Sequence, residues 1–224
     1  MTKLSCALPA LALLLSACAG SETAPASATW EGDPRPLGKT LVYECLGTEF
    51  IARVGPGEMA IWLDDRYLVL SRLRGTSAVV YEEADVSYRQ SGDNISLSAG
   101  GQTYPDCEEA PHRAPWEDAR RRMVDFRAFG NEPGWHLEIQ NGRQLLYVGD
   151  YGMQRMMTPD PGATEADGVT LYHAVTESGE LIVEISDQPC TDTMKGDSFP
   201  NSVTVVVNGR TLSGCGMYLD HPWE

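Results

Sequence analysis

A chain of 224 residues with 32 acidic and 17 basic side chains carries a formal charge of −15. That imbalance excludes a nucleic-acid partner and adsorption to anionic lipid surfaces, both of which need cationic faces. It leaves two readings open: a cationic partner, or an acidic surface that only keeps an exported protein soluble.

The chain opens with Lys3 and an apolar run from Leu4 to Leu15, too short for a permanent bilayer span. The run ends Leu15-Ser16-Ala17-Cys18-Ala19-Gly20, which matches the bacterial lipobox. Residues 1–17 therefore read as a signal peptide and Cys18 as the lipidated residue. Residues 18–37, rich in Ala, Ser, Thr, Glu and Pro, read as a flexible tether. Ala19 and Gly20 offer no acidic inner-membrane retention signal, so the expected address is the outer membrane, facing the periplasm. Loss of residues 1–17 removes Lys3 alone among the charges, which leaves 16 basic against 32 acidic groups, or −16.

Four cysteines remain once Cys6 is cleaved away and Cys18 is acylated: Cys45, Cys107, Cys190 and Cys215. Three pairings are possible. The simplest, Cys45–Cys107 and Cys190–Cys215, lets each pair bracket one compositionally coherent segment. No Cys-x-x-Cys or Cys/His cluster suggests a metal, and no cofactor is expected.

Residues 38–107 alternate apolar and polar side chains in short runs: Leu41–Cys45, Glu49–Val54, Met59–Leu63, Tyr67–Arg72, Ala78–Glu82, Val86–Gln90, Asn94–Ser98 and Gln102–Asp106. Gly55-Pro56-Gly57, Asp64-Asp65, Gly92-Asp93 and Gly100-Gly101 separate them. Eight short, closely spaced strands predict a small antiparallel barrel. Residues 108–125 predict a linker with one short helix. Pro115 starts it, Glu117 and Asp118 sit in its first turn, and Arg120-Arg121-Arg122 in its last, matching the helix dipole. The three arginines read as a solvated helix end.

Residues 126–224 predict a second all-β domain. Trp135, Leu137 and Ile139 alternate with His136, Glu138 and Gln140, and Asn141-Gly142 offers a type I′ hairpin turn. Strands follow at Gln144–Gly149, Val169–Thr176, Glu180–Ser186, Ser202–Val207 and Thr211–Cys215, with Asn208-Gly209 as a second hairpin signal. Met153, Met156 and Met157 read as core or edge strand rather than a soft-metal site. Glu132, in Gly130-Asn131-Glu132-Pro133, reads as a turn residue. Asp192, between Cys190 and Lys195, reads as loop chemistry beside a disulfide. His112, His136, His173 and His221 are scattered, so the expectation is a protein that is not an enzyme.

The order Ser77-Ala78-Val79-Val80-Tyr81, then Tyr88, Arg89, Ser91 and Gly92, between Cys45 and Cys107, resembles the membrane-bound inhibitors of C-type lysozyme. Those are lipoprotein domains of eight antiparallel strands with a Ser-Gly-x-x-Tyr … Trp-x-Lys-Gly signature. The resemblance implies that a loop and strand enter the lysozyme cleft and meet its two catalytic carboxylates. Carried over without gaps, Ser77, Tyr81 and Gly92 match, and Ala78 takes the place of Gly. Arg89 stands where the family has Trp, and Ser91 where it has Lys. Arg89 shares a strand face with Ser91, so it either substitutes for the missing cation or caps a barrel end. The basic C-type lysozyme is thus the candidate partner, with a non-inhibitory structural or ligand-binding envelope lipoprotein as the alternative. Residues 125–219, with Phe126-Arg127-Ala128-Phe129-Gly130-Asn131-Glu132-Pro133-Gly134-Trp135, resemble an uncharacterised family of bacterial envelope proteins, which informs architecture only.

Overall fold

The computed structural model describes residues 38–177 and 179–220. Cys18, the tether and His221 lie outside the described residues. The expected strands of the first segment are all present: β1 (Thr40–Cys45), β2 (Thr48–Gly55), β3 (Glu58–Leu63), β4 (Arg66–Arg72), β5 (Val79–Glu83), β6 (Val86–Ser91), β7 (Asn94–Ala99) and β8 (Gln102–Tyr104). They pair in sequence order as an antiparallel meander. Alternation turns Phe50, Ala52, Met59, Ile61, Leu70 and Tyr88 inward, and the curled sheet closes around them as a half-barrel. Past β8 the chain crosses to the opposite edge. The Cys107 amide donates to Ile95 of β7 (3.0 Å), and β9 (Glu108–Glu109) pairs with β1. The Cys45–Cys107 disulfide forms at this crossing, between the two edges.

Helix α1 (Ala114–Arg121) follows, with proline in its first turn as expected. It packs against both sheets. Ala110 and Ala114 meet Val42 and Ile51 of the first, while Ala119 and Trp116 pack with Val124, Met217 and Leu219 of the second segment. This corrects the reading of the three arginines as a solvated helix end. Arg120 pairs with Glu117 at 2.6 Å, Arg121 lies 4.2 Å above the Trp62 ring, and Arg122 grips Glu138 with both guanidinium nitrogens at 2.6 and 2.8 Å. The partners of Arg121 and Arg122 lie on β3 and β11, distant in sequence, so the helix dipole alone misjudged them.

The second segment comprises β10 (Phe126–Asn131), β11 (Gly134–Gln140), β12 (Gln144–Gly149), a 3-10 turn (Asp150–Gly152), β13 (Gln154–Pro159), β14 (Ala163–Ala166), β15 (Val169–Thr176), β16 (Gly179–Ser186), the two-residue strands β17 (Cys190–Thr191) and β18 (Ser198–Phe199), β19 (Asn201–Val207) and β20 (Arg210–Tyr218). Nine of these form one curled antiparallel sheet in the order β13-β12-β11-β10-β20-β19-β16-β15-β14. Leu137, Ile139, Leu145, Leu181, Val183 and Val205 fill its concave side. Asn208-Gly209 forms the expected two-residue turn, with both φ angles positive (49° and 80°). Asn141-Gly142 does not form a type I′ turn. Gln140 pairs with Gln144, so three residues make the connection and only Gly142 among them is left-handed. The carboxylates of Asp125 and Asp160 accept the Asn141 and Gly142 amides at 2.7 and 2.6 Å and hold that wider turn. Met156 is buried and Met157 exposed on β13, an edge strand. No helix among the described residues is long and apolar enough to cross a membrane.

Candidate functional site

The residues matched to the inhibitor signature fall at one end of the first half-barrel. β5 and β6 pair with Val79 opposite Gln90 and Val80 opposite Arg89. Continued by two residues, that register brings Ser77 level with Gly92. Ser77 is exposed on the loop between β4 and β5, and Ser91 and Gly92 close the β6–β7 hairpin beside it. Gly92 adopts φ 62° as the first central residue of a two-residue turn, so its part is backbone geometry. Tyr81 is only 5% exposed and meets Tyr88 edge-on at 6.1 Å. It supports the strand from inside and offers no outer surface.

Arg89 is exposed on the convex face with Ser91, as the alternation predicts. The sequence reading missed Arg74. It lies in the same loop as Ser77, and with Arg72 and Thr76 it lines a cavity of about 660 Å³ against the β2–β3 turn. The Thr76 hydroxyl donates to the Ala78 carbonyl at 2.6 Å, and the Leu73 amide to Val80 at 2.9 Å, which fix both ends of the loop. Arg72, Arg74 and Arg89 are exposed and have no carboxylate partner among the described residues. In a chain with 32 acids against 17 bases, three guanidiniums left unpaired around one loop form a carboxylate-seeking edge. The signal for Arg74 was its place between Leu73 and Gly75, within reach of Ser77.

A second constellation covers the convex face of the other sheet. Arg127 and Phe129 of β10 lie opposite Glu138 and His136 of β11. Glu138, 4% exposed, bonds Arg127 as well as Arg122. Asp118 accepts from Arg122 at 2.8 Å, from the Thr40 hydroxyl at 2.8 Å and from Arg53. One polar network thus runs from β2 through α1 to β11. The Cys190–Cys215 disulfide ties the β17–β18 ribbon down onto β20, and Phe199 thereby packs against Phe129 (5.1 Å) and stacks with Trp116 (5.4 Å). Asp192 accepts from the Asn131 amide and from the Met194 N–H at 3.0 Å, so it shapes the loop as its setting suggested. Glu132 sits in the turn as expected, exposed and with no hydrogen-bond partner among the described residues, and it is Asn131 that ties this turn to the Asp192 loop. Gly130 and Gly214 leave room for the Trp135 indole, since a Cβ on either would meet it at 2.2 or 2.7 Å.

Burial, then the nearby Arg127 charge, pushes the His136 imidazole down to about 4. An unfolded histidine titrates near 6.5, so between those values the unfolded chain binds more protons. The stability contributed by neutral His136 is complete above about pH 6.5 and is lost as pH falls towards 4. A ring-proton NMR titration is expected to give His136 a midpoint near 4; an ordinary midpoint near 6.5 would contradict this environment. No group of three or more His, Cys, Asp or Glu among the described residues is placed to hold a metal ion.

Comparison with protein-family models, with curated proteins and with solved structures finds no match to this chain.

Proposed function

We propose that this chain is a lipid-anchored bacterial envelope protein that binds and inhibits C-type lysozyme without catalysis, by presenting the Ser77 loop and the end of β6 to the enzyme's active-site cleft. The observation that carries the reading is the juxtaposition of exposed Ser77 with Ser91 and Gly92 at one end of the half-barrel, beside the unpaired Arg74 and Arg89. Guanidiniums suit a cleft whose chemistry depends on two carboxylates, and a bidentate grip from either arginine replaces the ammonium absent at Ser91. The −16 charge of the processed chain draws a basic partner and speeds encounter at low salt.

Calorimetry against lysozyme at two salt concentrations tests the site. Ser91→Lys is expected to tighten binding by about 1–2 kcal/mol, because a charge-assisted bond replaces a neutral one. The double substitution Arg74→Ala, Arg89→Ala is expected to remove most of the affinity, at a cost of about 2–5 kcal/mol. If both variants bind as the parent does, this face is not the one that meets lysozyme. A ligand-binding envelope lipoprotein is the second reading, favoured by Ser91 in place of lysine and by the cleft over the second sheet.

A further inference from the structure

The cleft on the convex face of the second sheet is independent of the lysozyme face. Its volume is about 1030 Å³, the size of small-molecule sites. One wall is an aromatic cluster. Trp116 and Phe199 stack, Phe129 meets both edge-on at 5.9 and 5.1 Å, and all three rings remain partly exposed to the cleft. They come from the helix, the disulfide-tied ribbon and β10, so three separate elements are spent on holding one apolar surface open.

Opposite it stand two cations, Arg127 and Lys195, with the acids Asp192 and Asp197 in the same lining. The part-buried network holds three guanidiniums, Arg53, Arg122 and Arg127, against two carboxylates, Asp118 and Glu138. One positive charge is in excess, and the member that lines the cleft is Arg127, with its guanidinium 5.8 Å from the Trp116 ring centre. Lys195 stands at the rim, exposed and without an ion-pair partner among the described residues. His136 lines the floor and has no hydrogen-bond partner among the described residues, which leaves a ring N–H to donate. Of the acids in the cleft, Asp192 is committed to Asn131 and Met194, and Asp197 is exposed. An under-compensated cation is stabilised by an incoming anion, and its low-dielectric setting strengthens the attraction.

We propose that this cleft binds a small organic anion with a flat apolar body, its acidic group at Arg127 and Lys195 and its body against Trp116, Phe129 and Phe199. A neutral saccharide would use the same rings but would leave the excess charge unanswered. The aromatic wall supplies area, and the cationic side supplies orientation.

Two fluorescent probes with one ring system decide it: 8-anilinonaphthalene-1-sulfonate, an anion, and N-phenyl-1-naphthylamine, its neutral counterpart. The processed chain is expected to bind the sulfonate saturably and about tenfold more tightly than the amine at low salt. Lys195→Glu, on an exposed loop that tolerates change, is expected to weaken the sulfonate about fivefold or more and to leave the amine unaltered. Phe129→Ala is expected to weaken both probes. Equal affinity for the two probes, or a sulfonate affinity unmoved by Lys195→Glu, would overturn the proposal.

Discussion

Replacing Glu138 with alanine is expected to destabilise the fold by about 3–5 kcal/mol, the cost of removing one partner from a buried ion pair. Glu138 is 4% exposed and is shared by Arg122 of the helix end and Arg127 of β10. Without it, two guanidiniums are left in a half-dry interface with only Asp118 to answer Arg122. Burial alone would raise the Glu138 carboxyl; the hydrogen bond from Arg122 and the charge of Arg127 outweigh it and hold the group below the ordinary glutamate range. The sign follows from that depression. The stabilisation is present above the unfolded value near 4.3 and is lost as pH falls through the lower folded one. Urea unfolding at pH 7 measures the effect, with Glu138→Gln expected to retain part of the stability. A loss below about 1 kcal/mol would mean that the pair is no better than a surface ion pair.

Removal of the Cys45–Cys107 bridge by serine at both positions is expected to cost about 4 kcal/mol, from a cysteine separation of 62 residues on the chain-entropy estimate. The bridge sits where β1 and the chain leaving β8 approach, and Cys107 is itself buried. The crossing has few other ties: the Cys107 amide bond to Ile95, the two-residue strand β9, the Ala110 amide bond to Val42 and the exposed Lys39–Glu109 ion pair. Loss of the bridge therefore frees one seam of the half-barrel. At this chain length about 4 kcal/mol corresponds to a Tm lower by roughly 8–16 °C. A double-serine variant melting within about 2 °C of the parent would show that the seam holds without its covalent tie.

The strands of the first segment were legible because each shows period-two alternation and ends at a Gly, Asp or Pro. Ala52, fully buried, follows from that pattern and the register it imposes, whereas Val42, on the opposite face, is buried by Ala110 and Ala114 of the helix segment. The pattern fails at β13 and β14. Gln154-Arg155 opens the first with two exposed polar residues, and Ala163-Thr164-Glu165-Ala166 is exposed along its whole length. An edge strand that buries little leaves little periodicity to read. The signature implies a contact role for Tyr81, whereas its pairing with Tyr88 across β5 and β6 puts both rings inside. The aromatic cleft was out of reach. Trp116, Phe129 and Phe199 come from three elements, and only the fold and the Cys190–Cys215 tie bring them together.

Inhibition itself is the most direct test of the proposed function. The processed chain, titrated against C-type lysozyme in a low-salt cell-wall clearing assay, is expected to suppress clearing in a saturable manner that approaches one inhibitor per enzyme. Added salt is expected to weaken the effect, since the contact is charged. Full clearing activity in the presence of a large molar excess of the chain at low salt would contradict it.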